Sequence, residues 1–340
     1  MYLQFMKYLC FNGHERKNDE LYCNICNEPF EILYDKKYND NIIKNFDYIT
    51  NFISLGEVET PVVKENNNLY FKLDYFSPTF SYKDRGSKNL ISYLCSDNKT
   101  KSVNEDSSGN AGASIAAYGK KAGFSVNIFT PENANESKLR QIKAYGANII
   151  RIKGSRDDVQ KAAEHYNGFY ASHILNPEFR DGIRTLSYEI FKQFNKMPDH
   201  IFIPVSAGTL MSGLYSGLKH LYDNNEIDKI PEIVAVQPEN ISPLCSQINN
   251  YNYNPDNNLT SIADALVSKR PILMTKMLKI IRENGRCISV SEDEIIRSRE
   301  ELALKGIYTE YSSATVFAAY SKFNFTGKSL LILTGNGLKN

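Results

Sequence analysis

The chain has 340 residues and a mass of 38.7 kDa, a length that fits about two domains. Its 40 Lys+Arg residues offset 39 Asp+Glu residues to a net charge of +1, so there is no basic footprint for nucleic acid. With 42% hydrophobic and 23% charged residues it holds enough apolar material for a sizeable core. No run of about 18 apolar residues reads as a membrane span.

The opening MYLQFMKYLCF carries Gln4 and Lys7 inside its apolar stretch and lacks a small-residue cleavage site. A secretory leader is therefore not expected, and the expected compartment is the cytoplasm. Residues 1–35 form a Cys/His-bearing segment with little helical periodicity. From Tyr38 to Phe52 apolar and aromatic residues recur at helical spacing. A helix is predicted after Lys83 (KNLISYLC) and another after Asn110. A strand, SVNIFT, ends at Pro131. A helix over Glu136 to Tyr145, a strand over Asn148 to Ile152 and a helix over Asp157 to Tyr166 follow. HIFIPV (200–205) reads as a strand leading into the helix GTLMSGLYSGLKHL. EIVAVQ (232–237) and SLLILT (329–334) read as strands, and Asn249 to Asn258 as a surface loop. Strands alternating with helices predict an α/β fold, doubly wound, with parallel sheets covered on both faces. In such folds ligands sit at the carboxyl ends of strands, beside helix N-termini.

Four stretches carry chemistry. In SPTFSYKDRGSKN (77–89), Lys83 stands at a helix start, where the positive end of the helix dipole favours a neutral, nucleophilic amine. The plainer alternative is a solvated surface lysine. In SSGNAGAS (107–114) and VSAGTLMSG (205–213), small residues ahead of a helix offer backbone N–H groups to an anion. The plainer alternatives are an N-capping turn and an ordinary strand-to-helix turn. Thr334 closes the last strand, and the Gly335-Asn336-Gly337 turn exposes it.

Six cysteines do not imply a disulfide framework, but Cys10, Cys23 and Cys26 cluster, while Cys95, Cys245 and Cys287 are scattered. Cys23-x2-Cys26 has zinc-knuckle spacing, and Cys10 with His14 completes a Cys3His set. Free thiols are the alternative. A redox pair is disfavoured because no thioredoxin-like strand–helix unit surrounds it.

Together, SPTFSYKDRG, EDSSGNAGASIAAYGKKAG, FIPVSAGTLMSG, YTEYSSAT and LTGNGLKN resemble the threonine synthase branch of the fold type II pyridoxal-phosphate enzymes, relatives of the tryptophan synthase β chain. The resemblance runs from about Leu55 to Asn340. It implies two doubly wound parallel-sheet domains: a large cofactor-binding domain over 36–85 and 173–340, and a small mobile domain over 86–172. A zinc-ribbon-like segment over 1–35 would precede them. Lys83 would hold pyridoxal 5'-phosphate as a Schiff base. Asn110 would bond its 3-hydroxyl. Ser206, Ala207, Gly208, Thr209 and Leu210 would cradle its phosphate, and Thr334 would partner its pyridine nitrogen. Ser107, Ser108, Gly109 and Ala111 would receive the substrate carboxylate. Glu310 matches the acidic residue of a family stretch in which Tyr311 replaces proline. In NPEFRDGIRT (176–185), Phe179 stands where the family carries a phosphate-binding arginine, so Arg180, one residue on, is the candidate for a substrate phosphate, with Arg184, Lys269 and Arg270 as further cations and Ser81 as a hydroxyl. Some relatives begin with a zinc ribbon, although Gly13 here stands where a further cysteine would.

The resemblance implies elimination and replacement on a small amino acid. Threonine synthase leads, converting O-phosphohomoserine and water to threonine and phosphate. A paralog acting by β-replacement or deamination on phosphoserine, serine or threonine is the alternative, either cysteate-synthase-like or a dehydratase. A non-catalytic cofactor-binding or partner-binding protein is the alternative of another class. A hydroxyl rather than an aspartate at the pyridine nitrogen makes a weaker electron sink, which favours elimination over transamination. A homodimer is expected.

Overall fold

The computed structural model describes residues 7–33, 36–98 and 100–339. Of the segment expected over 1–35, residues 1–6, 34 and 35 lie outside this description. In chain order the structure opens with β1 (Lys7–Cys10), β2 (Phe30–Leu33), β3 (Val62–Lys64), β4 (Leu69–Leu73), α1 (Lys83–Asp97) and β5 (Ser102–Glu105). Then come α2 (Asn110–Lys121), β6 (Ser125–Pro131), α3 (Glu136–Ala144), β7 (Asn148–Ile152), α4 (Arg156–His165), β8 (Phe169–Tyr170) and α5 (Pro177–Gly182). The chain continues with α6 (Arg184–Gln193), β9 (His200–Pro204), α7 (Thr209–Asp223), β10 (Glu232–Pro238), α8 (Pro243–Asn249) and α9 (Met274–Asn284). It closes with β11 (Gly285–Val290), α10 (Glu292–Leu304), α11 (Tyr311–Lys322) and β12 (Ser329–Leu333).

The chain divides into two compact units. The first takes in the chain up to Glu57 and Ser77–Ile183, the second Val58–Phe76 and Arg184–Lys339. The expected boundaries at 85/86 and 172/173 fall elsewhere. Ser77–Arg85 and residues 173–183 group with the first unit because α1 packs on both α2 and α5.

The first unit holds a four-stranded sheet in the order β7-β6-β5-β8, parallel throughout. In β6 the run VNIFT is buried on both faces, as helix-covered parallel strands require. Helix α2, just before β6 in the chain, has nine buried residues. Its Gly119 lets α2 approach β6, since a Cβ there would meet Val126 at 2.7 Å. Helix α4 starts on a Ser155/Asp158 capping box. The antiparallel pair β1–β2 stands apart as a small ribbon.

The second unit holds a six-stranded sheet in the order β11-β10-β9-β12-β4-β3, parallel except for the antiparallel edge strand β3. Strand β12 (SLLIL) is wholly buried in its interior. Phe71, Phe202, Val234, Leu331 and Phe317 form part of the core around it.

Two sequence readings need correction. The periodicity over Tyr38 to Phe52 yields only a short 3-10 turn at Ile42–Asn45. Asn45 accepts from Asn39 N (2.9 Å) and donates to Asn39 O (2.7 Å), local side-chain bonds that compete with a helix ladder. Cys245 and Cys287 are not isolated thiols but a disulfide joining α8 to β11.

Candidate active site

In the first unit the lysine-bearing turn is tightly fixed. Lys83 opens α1, and its N–H donates to Ser81 Oγ (3.3 Å). The next residue, Asp84, accepts from Thr79 N (2.7 Å), Thr79 Oγ1 (2.5 Å) and Ser114 Oγ (2.6 Å). One buried carboxylate thus ties the approach to α1 onto α2. Phe80, just before, holds φ +63°, a left-handed conformation that side chains other than glycine rarely adopt. Lys83 Nζ lies 4.8 Å from the Tyr82 ring centroid and 6.0 Å from that of Phe179.

The SSGN turn runs directly onto the N-terminus of α2. Gly109 N donates to Ser107 Oγ (3.3 Å), and Asn110 begins the helix. Gly112 is required here, because a Cβ would meet Ser107 O at 1.9 Å. Ser107, Ser108, Gly109 and Asn110 are half-buried and Ala111 is buried, which suits N–H groups presented to a carboxylate.

Immediately before this turn, at the end of β5, lie two acidic residues that sequence reasoning did not single out. Glu105 is fully buried and its Oε1 is 2.7 Å from His173 Nδ1. Its Oε2 has no hydrogen-bond partner among the described residues. Asp106 is paired with Arg156 (2.6 Å) and accepts from Tyr170 OH (2.8 Å). Burial, then the Asp106 charge, pushes the Glu105 carboxyl well above the usual range. Burial, then the Lys83 and Arg156 charges, pushes the His173 imidazole well below its own.

Arg180 does not serve as expected. Its guanidinium is buried and donates to the carbonyls of Ile174 and Phe30, so it holds backbone rather than a substrate phosphate. Desolvation lowers its pKa to about 10. One residue of displacement on a helix turns a side chain by about 100°. Phe179 therefore takes the place beside Lys83, and Arg180 points to the ribbon. On the same helix Glu178 accepts from Tyr8 OH (2.6 Å) and Asp181 from Tyr48 OH (2.5 Å).

In the ribbon, the Sγ atoms of Cys10, Cys23 and Cys26 and a ring nitrogen of His14 all lie within 4.8 Å of one another. Cys10 Sγ is 3.3 Å from His14 Nδ1 and 3.6 Å from Cys26 Sγ, and Cys23 Sγ is 3.5 Å from His14 Nδ1. Ligands of a tetrahedral zinc ion stand about 3.3 to 3.8 Å apart, so the donor set fits that metal.

In the second unit the turn after β9 presents Ser206, Ala207 and Gly208 before α7, whose first residues are Thr209 and Leu210. Gly208 caps the helix at φ +100°, and a Cβ there would meet Met277 Sδ at 2.8 Å. No acidic residue occupies the first turn of α7, which leaves its N–H groups suited to a phosphate. Thr334 follows β12, and Ser313 holds it. Ser313 Oγ accepts from Thr334 N (3.0 Å) and Gly335 N (2.9 Å) and lies 2.9 Å from Thr334 Oγ1. Ser313 Oγ also donates to Gly335 O (3.4 Å), so one serine ties Thr334 and Gly335 together through both backbone and side chain. Glu310 caps α11 and packs its carboxylate against Gly335.

Parallel sheets whose strands end in N–H-presenting helix starts, with a lysine at one of them, define an α/β enzyme class that takes an anionic cofactor. Residues 53–335 match the pyridoxal-phosphate dependent enzyme family, and the chain belongs to it. It is a pyridoxal-phosphate-dependent enzyme. The threonine synthase of Methanocaldococcus jannaschii is 28% identical, covering 94% of this chain and 89% of its own. That of Methanosarcina acetivorans is 30% identical over 75% of this chain and 65% of its own. Among solved structures, a threonine deaminase from T.th. shares the fold, with a TM-score of 0.73 at 19% identity over 88% of this chain and 98% of its own. The Dictyostelium discoideum serine racemase gives 0.71 at 27% identity, again over 88% and 98%. Among the described residues, no helix is long and apolar enough to cross a membrane.

Proposed function

We propose that the enzyme catalyses elimination and replacement at the β or γ carbon of a small amino acid, with threonine formation from O-phosphohomoserine and water as the leading reaction. The observation that carries this reading is Thr334, a hydroxyl held by Ser313 where an acid would make a stronger electron sink. Bound pyridoxal phosphate supplies an electron sink that makes the substrate's Cα proton removable. Lys83 would hold the cofactor and would carry that proton. Asn110 would bond the cofactor's ring hydroxyl, and the N–H groups from Ser206 to Leu210 would hold its phosphate. Ser107, Ser108, Gly109 and Ala111 receive the substrate carboxylate. The threonine synthase relatives support the leading reaction. Ser81 is buried beside Lys83 and offers a hydroxyl to the substrate's distal group.

A second reading, deamination of a hydroxy amino acid, is favoured by Arg180. The family's phosphate arginine is replaced by Phe179, and Arg180 is committed to carbonyl groups. The deciding experiment measures phosphate and threonine release from O-phosphohomoserine beside ketoacid release from L-serine and L-threonine. Threonine formation establishes the leading reaction; ketoacid formation without it establishes the second. Turnover of none of these refutes both.

Cys10, His14, Cys23 and Cys26 are proposed to hold one structural zinc ion. Four protein ligands leave no open position for substrate. Metal analysis of protein purified without chelators should find one zinc per chain, and a metal-free preparation would refute the site.

A further inference from the structure

Asp106 sets an electrostatic problem for the turn assigned to the substrate carboxylate. It directly precedes Ser107 and is buried, so its charge would repel a second carboxylate held at that turn. Glu105 beside it opposes an anion less, because burial holds that carboxyl toward its neutral form. Asp106 is the fixed anion of the two. Tyr170 OH donates to its Oδ1 (2.8 Å), and Arg156 pairs with its Oδ2 (2.6 Å).

Arg156 reaches this point from another element. It is the first residue of α4, where the helix dipole disfavours a cation. The Ser155/Asp158 capping box already satisfies that helix start, so the arginine serves something other than its own helix. Its guanidinium spans two groups of one residue, with Nη2 on the Asp106 carboxylate and Nη1 on the Asp106 main-chain carbonyl. A trans peptide is planar, so holding that carbonyl also sets the Ser107 N–H, on the opposite side of the bond. Among the described residues, neither the Ser107 nor the Ser108 N–H donates to a protein acceptor. The turn therefore presents donors to a ligand, with one buried negative charge behind them and one arginine cancelling it.

We propose that Arg156 is a positioning residue for the substrate carboxylate, which the turn can hold because Arg156 cancels the Asp106 charge. This rests on the reading of Ser107, Ser108, Gly109 and Ala111 as the carboxylate-receiving turn, and it holds for any leaving group. With both terminal nitrogens engaged on Asp106, Arg156 acts through that residue and not on the substrate itself.

Arg156→Gln leaves Asp106 charged without its counter-ion, and Asp106→Asn/Arg156→Gln removes both charges. L-Threonine is the probe, being the product of the leading reaction and a substrate of the second; L-threoninamide is its counterpart without a carboxylate. Binding is read from the visible absorbance of the holoenzyme at about pH 8, where carboxylates are ionised. The unaltered enzyme should prefer the acid to the amide. Arg156→Gln should lower that preference about tenfold, a charge-assisted hydrogen bond's worth, and the double variant should recover most of it. On O-phosphohomoserine the single variant should raise KM with kcat nearly unchanged. A preference untouched in Arg156→Gln overturns the proposal. An equal loss for acid and amide does so too, since that is what a loosened scaffold gives. So does a double variant no better than the single one, the mark of direct contact between Arg156 and substrate. An unaltered holoenzyme with no preference for the acid overturns it as well. A clear preference without turnover of O-phosphohomoserine, L-serine or L-threonine refutes the functional reading alone, and the variants still decide the role of Arg156.

Discussion

Lys83 and Thr334 were readable because each stands at a junction that sequence marks openly: a polar residue where an apolar strand or a Ser/Pro/Thr stretch meets a helix or turn. Their supports were not readable. Ser313 lies 21 positions from Thr334, and Glu105 lies 68 from His173, so only the fold brings either pair together. Two tests follow at this scale. Lys83→Ala should lose the visible absorbance of bound cofactor and the borohydride-fixed mass tag; a tag retained elsewhere would move the anchor to another lysine. Ser313→Ala strips the acceptor from two N–H groups and the hydroxyl that contacts Thr334 Oγ1. Loss of about one hydrogen bond's worth of binding, roughly tenfold in cofactor affinity, is expected by fluorescence titration.

Glu57 shows how one residue can organise helices. Its carboxylate accepts from Leu55 N (2.9 Å), Lys88 Nζ (2.7 Å), Tyr118 OH (2.6 Å) and Ser54 Oγ (2.7 Å), joining α1 to α2. Burial raises its pKa, but these partners outweigh burial and bring it down to about 2 from 4.5. A depressed carboxylate stabilises the folded state at pH values above its unfolded pKa. That contribution fades as pH falls from about 4.5 toward 2. Glu57→Gln should therefore lower the denaturant midpoint at pH 7 and converge with the unaltered protein near the acid end of that window. A constant offset across the window would contradict this origin.

At the scale of elements, α5 is the piece that sequence hid. It has six residues, every one buried, and lies too short for any periodicity to register. Its polar side chains are taken by the ribbon and its surroundings: Arg180 by Phe30 O, Glu178 by Tyr8 OH and Asp181 by Tyr48 OH. Its Phe179 ring meets α1, where a Cβ on Gly86 would come within 2.3 Å of it. The ribbon thus braces a helix that braces the lysine. Chelating the proposed zinc should speed hydrogen exchange across Pro177–Gly182 and the start of α1, while Arg180→Met should do so without chelation. Exchange unchanged in both cases would show that the ribbon is merely appended.

At the scale of the whole molecule, the strands that announced themselves are those richest in apolar residues between turn signals: β6, β7, β9, β10 and β12. The interior strands β4 and β5 escaped because each buries charge. Lys72 in β4 is fully buried on Glu189 (2.5 Å), Gln193 (2.7 Å) and Thr60 O (2.7 Å), and β5 carries Asn104 and Glu105. Polar letters in a sequence read as surface, and only long-range partners reverse that reading. The α/β class survived these gaps because the alternation of strand and helix repeats along most of the chain.

The Cys245–Cys287 bond was equally out of reach, since its partners are separated by 42 positions and neither belongs to a recognisable pattern. It joins α8 to β11, two elements already held without it. Gln237 Oε1 accepts from Leu244 N (2.9 Å) and Cys245 N (3.1 Å), and Asn249 donates to Cys287 O (3.0 Å). The bond is therefore a constraint on the unfolded chain rather than a requirement of the fold. Closing a loop of this length contributes about 4 kcal/mol in the chain-entropy account. Reduction with dithiothreitol should leave activity intact while lowering the unfolding free energy by up to that amount, and Cys287→Ser should reproduce the loss without reductant. Thiol titration of denatured, chelated protein should count the four free cysteines, Cys10, Cys23, Cys26 and Cys95, before reduction, with the remaining pair appearing after it. All cysteines titrating at the outset, or a midpoint indifferent to reductant, would show that the two sulfurs stand unbonded in solution.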